Sequence, residues 1–128
     1  MIALLLLAVV SLAVHLYVLT QFLEVGSTND VLLQHAFLGI QAMVIYIVFR
    51  TIHGIFPEKS SFVFLGLLLL KMVFGFVFIK EMGWYTGDSE VFVLKAVFLV
   101  FYMVYLIGLL LVSIPLILNS IPANQPDQ

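Results

Sequence analysis

Few side chains in this sequence can do chemistry, and most of those that can stand inside apolar runs. Lys71 is the one charged residue of FLGLLLLKMVFGFVF, residues 64–78. An ammonium in such a setting costs free energy unless it meets a partner or water, so it is a functional hypothesis by default. His15 and His35 fall in two other apolar runs, where they could serve as the two axial ligands of a haem held between helices, or as ordinary hydrogen-bonded side chains. Ser11 lies four residues before His15. Gln34 and Gln41 are seven apart, and Tyr102, Tyr105 and Ser113 occupy the last apolar run. His53, in the basic loop 53–61, reads as a solvated interfacial residue.

Several chemistries lack their residues. No Asp or Glu falls inside any apolar run, so proton-coupled export of the small multidrug type, which needs a carboxylate in the membrane, has no candidate group. No serine or threonine is spaced for a catalytic triad, and no carboxylate pair faces a common site. There is no cysteine to ligate a metal or attack a substrate. The reading is a protein without catalytic residues, cofactor or metal site.

The elements that must carry these groups are set by composition. Of 128 residues 64% are hydrophobic and 9% charged, against about 45–50% and about 25% in soluble domains. The net charge of −2, with no basic run, excludes a nucleic-acid footprint. Four apolar runs, Ile2 to Leu23, Val31 to Ile52, Phe62 to Ile79 and Val91 to Leu118, each approach or exceed the ~20 residues that cross a hydrocarbon core. The first is read as a span and not as a signal peptide, because no Lys or Arg precedes it and no small-x-small site closes it. Pro115 is expected to mark the fraying end of the last run.

The chain is therefore expected to be an all-α membrane protein, a single bundle of four transmembrane helices over residues 1–120, with a short polar tail at 121–128. Short loops make consecutive helices antiparallel neighbours, which gives an up-down bundle. The loops EVGSTND (24–30) and EMGWYTGDSE (81–90) are acidic, whereas HGIFPEKSS (53–61) holds Lys59 and follows Arg50. By the positive-inside rule the middle loop and both termini are cytoplasmic. Trp84 and Tyr85 suit an interfacial aromatic belt.

The rise of about 1.5 Å per residue places Lys71 roughly 15 Å from the inner end of its helix and Gln41 roughly 15 Å from the outer end of its own. Both sit near the midplane with Tyr102 and Tyr105, so the expected partners of Lys71 are the Gln41 carbonyl oxygen and the tyrosine hydroxyls. His35 comes out ~6 Å below the outer surface and His15 ~12 Å. On the second helix Gln34, His35, Gly39, Gln41, Ala42 and Tyr46 form one polar and small-residue stripe that should face the bundle. Gly39, Gly66, Gly75 and Gly108 offer places for close helix approach. Ser113 is expected to bond back to its own helix.

The plan of four tight spans with a basic middle loop, together with Arg50, LLLLKMVFGFVF (67–78) and SIPLILNS (113–120), resembles ATP synthase subunit I. The resemblance implies a non-enzymatic assembly or accessory factor of the bacterial inner membrane. It further implies partners in the ring of c subunits, whose mid-membrane carboxylates could pair with Lys71 in trans. Leu67 and Leu68 occupy the turn where such proteins carry an acid, so assembly is implied over cation handling. The alternatives are a structural subunit of another respiratory or transport complex and a bis-histidine haem anchor.

Overall fold

The computed structural model describes residues 1–22, 28–84 and 89–119. All regular structure among them is helical: α1 (Ile2–Phe22), α2 (Thr28–Ile55), a 3-10 turn (Pro57–Lys59), α3 (Ser60–Glu81) and α4 (Ser89–Asn119). By length and apolar composition α2, α4 and α3 with its preceding turn can each cross a membrane, whereas the apolar stretch of α1, Ile2–Val18, is shorter. The tail at 121–128 lies outside the described residues.

Local chemistry fixes the helix ends on either side of α3. Pro57 opens the 3-10 turn, where its fixed φ and missing N–H cost nothing. The Ser60 hydroxyl then donates to the Pro57 carbonyl at 2.6 Å. At the far end Gly83 adopts φ 70°. Its N–H reaches Lys80 O, and Trp84 N–H reaches Ile79 O. This is the Schellman pattern, for which glycine avoids the Cβ clash. It turns the Trp84 indole inward, so Trp84 is 5% exposed and packs edge-on against Phe78 and Phe98. Trp84 thus caps the end of the bundle from inside, and Tyr85 lies outside the described residues. Pro115 does not end its helix either: α4 continues to Asn119, because Leu116 and Ile117 pack on the core beyond it.

Residue pairs give the packing directions. His15 meets His35 and Ala8 faces Gly39; Phe37 meets Phe78 and Phe49 meets Phe64; Phe78 meets Phe98 and Gly75 lies against Tyr102. Leu7 lies against Gly108 and Ser11 reaches Tyr105. Along each of these seams the numbers rise on one helix as they fall on the other, so α1–α2, α2–α3, α3–α4 and α1–α4 run antiparallel. Helices α2 and α4 touch across the middle. Between them lie two cores, one around Ile45, Phe49, Phe64 and Leu109, the other around Leu38, Trp84, Phe98 and Tyr105.

The stripe read on α2 is buried throughout. Helix α3 is different, for it buries only Ser60, Phe64, Lys71 and Gly75, a single row at spacings of four, seven and four. Its other faces, with Phe62, Leu69, Met72 and Phe76, point away from the bundle. In lipid such faces carry no hydrophobic penalty, and association rests on van der Waals fit and hydrogen bonds.

Candidate functional site

Two polar clusters occupy the interior. The first centres on Lys71, which is fully buried at 0% exposure. Its ammonium donates to Gln41 Oε1 at 3.4 Å, while Gln41 Nε2 donates to the Lys71 backbone carbonyl at 3.2 Å. One amide thus clamps side chain and backbone of the same residue. The Lys71 Nζ also stands 3.7 Å from the centroid of the Tyr102 ring, well within the ~6 Å range of a cation–π contact. Gly75 allows that ring its place: a Cβ there would lie 3.0 Å from Tyr102 Cε2.

The Gln41 oxygen is therefore the expected partner, but the tyrosines differ from expectation. Tyr102 offers its ring face and not its hydroxyl, and Tyr105 belongs to the other cluster. Depth along a helix follows from the sequence, whereas rotation of α4 about its axis follows only from packing. Both partners of Lys71 are neutral. Asp30, Glu58 and Glu81 sit at element ends, many residues from the middle of α3. At 3.4 Å the ammonium–amide bond is longer than the ~2.7–2.9 Å of a strong charge-assisted one. The Tyr102 hydroxyl, also buried, has no hydrogen-bond partner.

The second cluster joins three helices. Ser11 Oγ lies 3.2 Å from Tyr105 Oη, Tyr105 Oη 3.2 Å from His35 Nδ1, and His35 Nε2 3.0 Å from His15 Nδ1. One consistent direction runs along this chain, with Ser11 donating to Tyr105, Tyr105 to His35, and the His35 Nε2–H to His15. The contact between the histidines needs one bare ring nitrogen, so at least one imidazole is neutral. Phe101 stacks on His15 at 4.6 Å and stands edge-on to His35 at 4.7 Å. Sequence reasoning missed it, although Phe101 lies one turn before Tyr105 on the same helix face.

The depth mismatch expected for the two histidines does not occur. Helix α2 begins at Thr28, three residues before the apolar run, so His35 lies seven residues from its helix end, as His15 does from Phe22. Both are about 10 Å in. As they stand, the two nitrogens face each other across a hydrogen bond at 3.0 Å, closer than the ~4 Å of two axial imidazoles at metal–nitrogen bonds of about 2 Å. Among the described residues no three His, Cys, Asp or Glu side chains are grouped to hold a metal ion.

Three smaller expectations are corrected. Ser113 is fully buried and its hydroxyl has no partner, so it does not bond back to α4. His53 sits in the last turn of α2 and not in the loop, half-buried, with its ring tilted on Phe49 and its Nδ1 buried without a partner. Gly66 meets no neighbouring helix. Gln34 is buried as expected, with its Oε1 unpaired.

No family model matches this chain, and neither a curated protein nor a solved structure is similar to it.

Proposed function

We propose that this chain is a four-span protein of the bacterial inner membrane, both termini cytoplasmic, that catalyses nothing itself and serves the membrane sector of ATP synthase as an accessory or assembly factor through helix contacts. The observation that carries this reading is Lys71: a cation buried in the middle of α3, loosely held by an amide and a ring. A charge kept at that depth with only neutral partners calls for an anion from outside the chain. The resemblance over residues 67–78 supplies one, the mid-membrane carboxylate of a c subunit. The orientation is supported by Arg50 and Lys59 on one side against the acidic loops on the other.

The test is recovery of ATP synthase membrane subunits with the tagged chain, parent against Lys71→Met, after mild detergent extraction. The variant should insert to the same level and recover the subunits about tenfold less well, the scale of one lost hydrogen bond to a charge. Equal recovery with both forms contradicts the role given to Lys71. Recovery of a different complex reassigns the chain to that complex.

A further inference from the structure

Three of the grooves that open from the bundle reach its interior polar clusters, and they differ in what their polar groups still lack. The widest, about 530 Å³ between α2 and α3, has Gln41 on its floor. That amide is already satisfied at both ends, accepting from Lys71 Nζ and donating to Lys71 O. The groove between α1 and α2 reaches His35 and Tyr105, which are joined to each other and to their neighbours. Neither groove asks for a ligand.

The third, about 260 Å³ between α3 and α4, is walled by Met72, Phe76, Phe98 and Leu99 and includes Gly75 and Tyr102. Tyr102 is 8% exposed and its hydroxyl donates to nothing. The Lys71 ammonium lies across the face of the same ring. Two donors, one of them charged, thus meet at one ring: Tyr102 lines the groove, Lys71 is fully buried against the face of that ring, and both lack a strong acceptor. A water bridging these two donors would leave the charge of the ammonium uncompensated, whereas a ligand can bring an anionic acceptor.

We propose that the α3–α4 groove docks a membrane-spanning helix that carries a carboxylate, whose two oxygens take the Tyr102 hydroxyl and the Lys71 ammonium. This rests on the reading of the chain as a helix-contact protein and specifies the chemistry of its partner. A carboxylate satisfies both donors at once and matches the charge of Lys71, which a neutral acceptor leaves uncompensated. The depth of Lys71, mid-way along α3, excludes a lipid headgroup and favours an acid borne at the centre of a span. On docking, the ammonium releases Gln41 Oε1, whose 3.4 Å bond is the weakest the site makes.

The full chain, reconstituted in vesicles with a leucine-rich peptide of about 20 residues bearing a single central Glu or Gln, tests this directly. Crosslinks are read from Leu99→Cys in this groove and from Val44→Cys in the α2–α3 groove. Leu99→Cys should capture the Glu peptide about tenfold better than the Gln peptide, and Val44→Cys should not distinguish them. Adding Tyr102→Phe should abolish that preference without changing helix content or thermal unfolding, since the hydroxyl it removes bonds nothing. Adding Lys71→Met should abolish it too. Equal capture of the two peptides at Leu99→Cys, or a preference that survives Tyr102→Phe, overturns the site. A Glu preference without recovery of ATP synthase subunits supports the site and removes the partner named above. Recovery of those subunits with no preference removes the site and keeps the partner.

Discussion

Gln41 and Lys71 depend on each other unequally. Removing the amide in Gln41→Leu leaves a buried ammonium with only a ring face, and should cost about 1.5–3 kcal/mol, the worth of a hydrogen bond to a charged group. Removing the charge in Lys71→Met leaves the Gln41 Nε2 bond in place, because that bond goes to backbone. It also ends the desolvation cost of the ammonium, so stability should change by less than ~1 kcal/mol. The double variant should regain most of the Gln41→Leu loss, a coupling that unfolding titrations in mixed micelles measure. A Lys71→Met loss larger than that of Gln41→Leu contradicts this order. This pair was legible in the sequence, since the two residues come out at matching depth. The Tyr102 ring was not, because depth along a helix of about 3.6 residues per turn leaves undecided which of two neighbours such as Phe101 and Tyr102 faces a given partner.

At the scale of elements, two glycines separate close contact from simple proximity. A Cβ at Gly75 would stand 3.0 Å from Tyr102 Cε2, against a ring confined between α3 and Lys71. Gly75→Ala should therefore cost about 1–3 kcal/mol by overpacking. At Gly39 the Cβ would lie 3.7 Å from that of Ala8, an ordinary contact, and Gly39→Ala should be neutral or stabilise by up to ~1 kcal/mol through helix propensity. Thermal unfolding of the two variants in detergent checks the order, and equal losses would remove the special role of Gly75. The α2 stripe was readable because its spacing of four and three repeats on a helix with one buried side. Helix ends were less so. The Schellman end at Gly83 turns Trp84 in against Phe78 and Phe98, and the start of α2 at Thr28 brings His35 level with His15, both through backbone geometry that composition does not record.

For the whole molecule, the four apolar runs and their loops announced a helical bundle, and charge asymmetry announced an orientation. Three helices have the length to cross, and the shorter apolar stretch of α1 packs on α2 and α4 through His15, Ser11 and Leu7. The site requires that α2, α3 and α4 all span, since only then does Lys71 lie near the midplane. The sequence has no cysteine, so single cysteines can be placed at Asn29, Glu58 and Ser89, all exposed at helix ends. With an impermeant thiol reagent on intact cells, Asn29→Cys and Ser89→Cys should label, and Glu58→Cys only after the membrane is opened. Labelling of all three alike in intact cells, or of Glu58→Cys alone, would contradict the crossing and the orientation proposed here.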